Sequence, residues 1–262
     1  MYKIMKNQNA ILMIEILKTF NYTEPNIKCV VSKKTIRVGP DNFVPEFEIL
    51  ENSGIKCLMI NGRQWMLYNT NTYRQVAQLF SHYYIASGNV ITTGLGFALR
   101  ENWLLKNPKV KTITVIEKNQ TLINYHKKTN PKLFEKIKII CADATEYKGE
   151  CDTLLIDHYE NDNMEYMIND VKNICENNIK CNKMWFWHLE TKLLADSYGM
   201  SEINLANDFN DGKFKYDTNK FNNIITVYNN LKTAGGLKWL PELSEGELKL
   251  FITMYTLFFK YL

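Results

Sequence analysis

The sequence predicts an α/β fold: a doubly wound, mostly parallel sheet with a small β-rich part in front of it. Three observations carry that expectation. From residue 89 onward, short apolar runs alternate with amphipathic stretches at helical spacing. The first of these runs ends in a glycine-containing turn, Gly94-Leu95-Gly96. The first 86 residues instead hold short alternating runs split by turn dipeptides, the pattern of an antiparallel sheet.

Residues 8 to 19 place Ile11, Leu12, Ile14, Ile16 and Leu17 so as to form a short helix. β-type runs follow at Ile27 to Val31, Thr35 to Val38, Phe43 to Leu50, Lys56 to Ile60 and Gln64 to Tyr68. Asn61-Gly62, between the last two, is the two-residue hairpin signal, because both positions tolerate a positive φ. Residues 72 to 85 then read as a linking helix, with Tyr73, Val76, Ala77, Phe80 and Tyr84 along one side. Residues 1–86 are therefore expected to form a small β-rich domain with that helix, and residues 87–262 the nucleotide-type domain.

In the second part the predicted strands are Val90 to Thr93, Lys111 to Glu117, Ile137 to Cys141, Asp152 to Asp157 and Lys183 to Leu189. Helices are expected from the glycine turn to about Lys106, from Gln120 to Lys128 and over about 162 to 178. This strand–helix alternation is a Rossmann-like arrangement, whose ligand crevice lies at the carboxyl ends of the strands. Asn204 to Asn223 is polar and reads as a surface excursion. Ser244-Glu-Gly-Glu247 is a capping box before an apolar C-terminal helix that ends near Tyr261.

Composition narrows the function classes. A chain of 262 residues that is 45% hydrophobic and 13% aromatic can bury a sizeable core, which excludes a disordered or linker-like protein. The net charge of +4 comes without a basic cluster, so no nucleic-acid partner is expected and a small-molecule partner is. No apolar run reaches 18 residues, and the N-terminal segment carries Glu15 with no small-residue cleavage site, so neither a membrane partner nor a secretory leader is expected. Six cysteines without a CxxC pair read as free thiols of a reducing, cytoplasmic setting, with no metal site. The five tryptophans lie in apolar runs and read as core rather than as stacking platforms for bases.

The chemistry-bearing residues sit at successive strand ends. Gly94 and Gly96 occupy the first strand-to-helix turn, where backbone can approach a ligand closely. Glu117 closes the second strand about 20 residues further on, where a carboxylate can accept from both hydroxyls of a ribose. Asp143 follows the third strand and Asp157 ends the fourth, with His158 and Tyr159 directly after it. His158 would suit proton removal, and the other reading is a loop histidine.

The runs GNVITTGLGFA, TVIEKNQTLI, IICADA and CDTLLIDHYEN together resemble the successive motifs of class I S-adenosylmethionine-dependent methyltransferases, and among them the spermidine synthase branch, over roughly residues 56 to 190. The resemblance implies S-adenosylmethionine, or its decarboxylated form, as cofactor. By it, Gly94 and Gly96 pass close to the methionine part, Glu117 with Lys118 holds the ribose, Asp143 and Ala144 read the adenine, and Gln64 reaches the cofactor from the hairpin. Asp157 lies nearest the transferring carbon, with Tyr159 lining an acceptor pocket, and the β-rich part serves as a homodimer surface. The chain departs from the polyamine branch in three places. The glycine turn lacks an acid, the Tyr-His-Glu signature falls on Tyr73-Arg74-Gln75, and Asp157 is followed by His158 rather than proline. Methyl transfer to a small molecule is thus the first expectation. Aminopropyl transfer, acceptor-free cleavage of the cofactor and a nucleotide-binding module without catalysis are the alternatives.

Overall fold

The computed structural model describes residues 12–22, 47–52, 55–60, 63–69, 77–159 and 163–259. The predicted strands over Ile27 to Val31 and Thr35 to Val38, with Tyr73, lie outside them. Helix α1 spans residues 12–19 and buries Met13 and Leu17, one turn apart on the same face.

Strands β1 (Phe47–Asn52), β2 (Ile55–Ile60) and β3 (Arg63–Asn69) form an antiparallel sheet in the order β1-β2-β3. Ile49 and Leu58 are cross-strand partners and fully buried, which fixes the register. Helix α2 (Phe80–Ile85) leads into the second sheet.

That sheet has five parallel strands in the order β6-β5-β4-β7-β8: β4 (Gly88–Thr93), β5 (Val110–Glu117), β6 (Lys138–Cys141), β7 (Gly149–Ile156) and β8 (Ile179–Phe186). The crossovers contain α3 (Leu99–Leu104), α4 (Gln120–Thr129) with the short α5 (Pro131–Phe134), and α6 (Met164–Asn173), which runs into a π-helical turn (Ile174–Asn178). β4 leads outward to β5 and β6, and the chain then returns to β7 on the other side of β4. The topological switch point of this α/β, Rossmann-like fold is therefore between β4 and β7, where such sheets open a crevice at their carboxyl ends. The carboxyl halves of β7 and of the outer strand β8 are buried on both faces: Leu154, Leu155, Ile156, Met184, Trp185 and Phe186 have no exposed surface.

Two expectations change. β8 starts four residues before the predicted strand and stops at Phe186, because His188 turns to φ 67° as the N-cap of α7 (Leu189–Tyr198). The region expected as a surface excursion holds α8 (Glu202–Asn210), and α9 (Phe221–Lys232) begins inside it. Their asparagines weaken helix propensity, and burial of Leu205, Phe209, Ile224 and Tyr228 overrides it. The C-terminal helix α10 (Glu245–Phe259) opens with the expected capping box: Ser244 Oγ accepts from Glu247 N, and the Glu247 carboxylate accepts from Ser244 N at 2.8 Å. Among the described residues no helix is long and apolar enough to cross a membrane.

Candidate functional site at the carboxyl edge

The turn after β4 alternates into the left-handed region three times, at Gly94 (φ 75°), Gly96 (φ 50°) and Ala98 (φ 58°). Gly94 is required by its neighbours: a Cβ there would lie 2.1 Å from the Asp157 carbonyl oxygen. At Gly96 the space of a Cβ is taken by the Met66 thioether of β3, at 2.8 Å. Ala98 holds a conformation that costs a residue with a Cβ on the order of 1 kcal/mol, the kind of strain that collects at functional sites.

Four side chains from other elements clamp this turn. Glu117, at the end of β5, accepts the Leu95 N–H through Oε2 at 2.8 Å and the Asn119 N–H through Oε1 at 2.7 Å. Burial pushes its carboxyl above the ordinary range, and those two backbone hydrogen bonds offset part of the rise. His126 of α4, fully buried, donates from Nε2 to the Gly96 carbonyl at 2.8 Å. Desolvation lowers its pKa to about 4, so the ring is neutral. The Phe97 N–H points at Met66 Sδ, 3.4 Å away. Arg100 of α3 donates from Nη2 to the carbonyls of Thr93 (3.1 Å) and Gly94 (2.7 Å), and from Nε to Glu101 Oε1 (2.9 Å). Glu101 is buried and accepts from Thr92 Oγ1 as well.

Across the switch point, the carboxylate of Asp157 is 32% exposed and lies 3.7 Å from Arg100 Nη1. Among the described residues that nitrogen has no hydrogen-bond partner, and it is buried. Desolvation raises the Asp157 carboxyl, and the guanidinium opposes the rise. The backbone N–H of Asp157 donates to Thr93 Oγ1 at 3.1 Å, which ties β7 to β4.

The two expected neighbours of Asp157 are turned to structural partners. His158 spans two of them, with Nδ1 2.6 Å from Thr93 Oγ1 and Nε2 3.1 Å from Asp170 Oδ2 of α6. Since a carboxylate only accepts, Nε2 donates to Asp170, while Nδ1 and the Thr93 hydroxyl share the second hydrogen bond. Tyr159 is buried, with its hydroxyl 3.4 Å from the Met167 carbonyl. Burial, with Asp170 nearby, holds that phenol well above its ordinary range.

At the end of β6, Asp143 Oδ1 accepts from Thr145 N (2.9 Å) and Oγ1 (2.7 Å) in a side-chain turn. Burial raises this carboxyl, but the Thr145 donors and the Lys118 charge together bring it below the ordinary value. Lys118 is exposed beside Glu117, and Ala144 is buried. Gln64 is exposed on β3; it pairs with Met59 whereas Met66 pairs with Leu58, so the register shift between them puts Gln64 on the other strand face from the Met66 thioether that meets the glycine turn. The structure thus brings Gly94, Gly96, Glu117 and Asp157 to one crevice, with Asp143 on the neighbouring strand end.

Sequence reasoning missed Met66, Arg100, His126 and Asp170. A signal for Arg100 existed: the chain uses lysine almost everywhere and only four arginines, so an arginine just after a glycine turn marks a need for its planar fork.

A groove of about 820 Å³ lies between the first turns of α6 and α7 and the start of α8. Met164, Ile168, Asn169, Lys192, Glu202 and Ile203 line it, and Lys192 is held by Asp196 (2.7 Å) and Glu202 (3.5 Å). Ile203 is 73% exposed and Tyr166 58%, unusual for such large apolar side chains in this chain.

The chain matches no family model and no curated protein sequence. Among solved structures it is similar to a spermidine synthase in complex with the transition state analogue AdoDATO, at 16% identity and a TM-score of 0.40, over 53% of this chain and 51% of that one. The spermidine synthase from Thermotoga maritima gives 16% and 0.39, over 51% and 50%. The 23S rRNA methyltransferase ErmE gives 13% and 0.36, over 52% and 55%. The chain therefore spans about half the length of the spermidine synthases it matches.

Proposed function

We propose that the protein is an S-adenosylmethionine-dependent transferase that moves a methyl group to a small-molecule acceptor. One observation carries this reading. A preorganised glycine turn and the carboxylates of Glu117 and Asp157 meet at the switch point of a doubly wound sheet, with Asp143 one strand further out.

The residues present fit the cofactor. Each oxygen of Glu117 uses one lone-pair direction on a backbone N–H, which leaves capacity for two ribose hydroxyls. Asp143 directs both Thr145 donors to Oδ1, so Oδ2 stays available to an exocyclic amine. The orphaned Arg100 Nη1 adds a buried donor on the methionine side of the crevice. Bound there, the cofactor supplies a methyl group on a positively charged sulfur.

What the protein adds is position and charge. The clamp on Leu95 N, Gly96 O and Gly94 O holds the turn without reorganisation. Asp157, nearest the switch point, can accept a proton from an incoming nucleophile. His158 keeps the loop in place through Thr93 and Asp170. The Arg100 charge also favours methyl over aminopropyl transfer. A carboxylate already neutralised at 3.7 Å attracts an ammonium acceptor weakly, and a diamine site needs uncompensated acids.

Calorimetry with S-adenosylmethionine, its decarboxylated form and S-adenosylhomocysteine tests the reading. Micromolar binding of the carboxylated forms supports it; binding of none overturns it. Mass analysis after incubation with small amines and a cell metabolite extract then separates methyl from aminopropyl transfer.

A further inference from the structure

The antiparallel sheet reaches the glycine turn through a methionine. Met66 of β3 is half-buried, and its Sδ lies 3.4 Å from the Phe97 amide nitrogen. The same sulfur stands 2.8 Å from where a Cβ on Gly96 would be, so it fills the space that a side chain there would need. A thioether is a weak acceptor, and this contact is held by packing more than by its hydrogen bond. The Gly96 carbonyl is bound to His126 Nε2 at 2.8 Å and the Leu95 N–H to Glu117 Oε2 at 2.8 Å. The turn therefore has little freedom to back away from the sulfur. Among the described methionines, Met13, Met164, Met167, Met184 and Met254 are buried. Met59, Met66 and Met200 are half-buried and within reach of a small solute.

We propose that Met66 is an oxidation site, at which a hydroperoxide converts the thioether to a sulfoxide and thereby loosens the glycine turn. In that step a lone pair of the sulfur attacks the distal peroxide oxygen. The S–O bond forms, the O–O bond breaks, and the other oxygen leaves as water or alcohol with the peroxide proton. The sulfur is oxidised and the peroxide is reduced. Methionine sulfoxide reductases restore the thioether at the expense of a dithiol, which becomes a disulfide as water is released.

The consequence follows from the space. An oxygen added on the turn side of Sδ forces either the side chain or the turn off its seat. If the side chain leaves, the Phe97 contact opens and Gly96 loses its cover. If the turn leaves, it gives up the His126 hydrogen bond. The sulfoxide is also polar where the thioether was apolar, which disrupts packed methionine contacts. Either way the turn loses its fixed geometry, and a ligand that needs that geometry binds more weakly. This last step rests on the cofactor crevice proposed above, and the oxidation of Met66 does not.

The test is hydrogen peroxide on the full-length protein, followed by peptide mass mapping and by backbone hydrogen exchange over residues 94–98. Met66 sulfoxide should form at least tenfold faster than sulfoxide at Met167 or Met184, which have no exposed surface. Exchange at the turn should rise severalfold in the oxidised parent and return after treatment with methionine sulfoxide reductases and a dithiol. Met66→Leu keeps the volume and removes the oxidisable sulfur. Its turn should exchange at a rate that the oxidant leaves unchanged, although Met59 and Met200 still react. The affinity of the parent for S-adenosylhomocysteine should fall at least tenfold on oxidation. If the unoxidised parent binds no adenosyl ligand, the cofactor reading fails, and mass mapping with hydrogen exchange still decides the oxidation site. A Met66 that stays a thioether while Met200 oxidises, a turn unmoved by Met66 sulfoxide, or a Met66→Leu turn as sensitive as the parent's would each overturn the proposal.

Discussion

The two halves of the carboxyl edge are built differently. On the β4–β5 half, three backbone groups of the glycine turn are held by side chains: Glu117 on Leu95 N, His126 on Gly96 O and Arg100 on Gly94 O. On the β7–β8 half, the groove draws its lining from the first turns of α6 and α7 and from the start of α8, and it leaves Ile203 facing solvent. The first half has one conformation to offer. The second has shape and few fixed donors. This is the division expected where one ligand is constant and the other is set by loops and helix starts.

The largest effect that would break this contrast is at Arg100. Arg100→Met leaves the buried Glu101 without its counter-charge and frees the Thr93 and Gly94 carbonyls, so urea unfolding should show a loss of about 3–5 kcal/mol. A loss under about 1 kcal/mol would mean that the clamp is not rigid. Next, Gly94→Ala forces a Cβ against the Asp157 carbonyl at a positive φ and should cost about 3 kcal/mol or more. Gly199→Ala, at φ 66° with nothing within 4 Å, should cost only about 1 kcal/mol. Equal losses at the two would remove the close approach of β4 and β7 from the account.

A third effect is a pH dependence on the β8 side. Burial raises Glu190 to about 7, against a hydrogen bond from Trp185 Nε1 at 3.3 Å. Its contribution is complete below the unfolded value near 4.5 and is lost as pH rises through about 7, a swing on the order of 3 kcal/mol. Glu190→Gln should therefore be more stable than the parent at pH 8 and nearly equal at pH 4.5, read as melting temperatures. His126 works in the opposite direction. Lowered to about 4, it contributes fully above pH 6.5 and loses that contribution as pH falls toward 4. The smallest effect is in the groove: Ile203→Ser should change stability by less than about 0.5 kcal/mol, while any acceptor that fills the groove should show a raised KM.

The same contrast decides what the sequence made legible. Gly94, Glu117, Asp143 and Asp157 each stand at a strand end, where position alone implies a role, and all four lie at the carboxyl edge. Their partners come from elsewhere in the chain. His126 lies 30 residues after Gly96, and Met66 lies 31 before Phe97, so no local spacing connects them. His158 was legible as a residue at the site but not as a bridge, because Asp170 reaches it only once α6 packs. The helices after Tyr198 were hidden by asparagine-rich composition, which local propensity reads as loop and buried Leu205 and Phe209 do not.

The central claim is that the crevice beside Glu117 binds S-adenosylmethionine, and titration calorimetry of the parent and of Glu117→Ala tests it most directly. The parent should bind S-adenosylmethionine or S-adenosylhomocysteine in the micromolar range, and the variant at least tenfold more weakly, with folding confirmed by circular dichroism. A folded Glu117→Ala that binds as tightly as the parent would contradict the account.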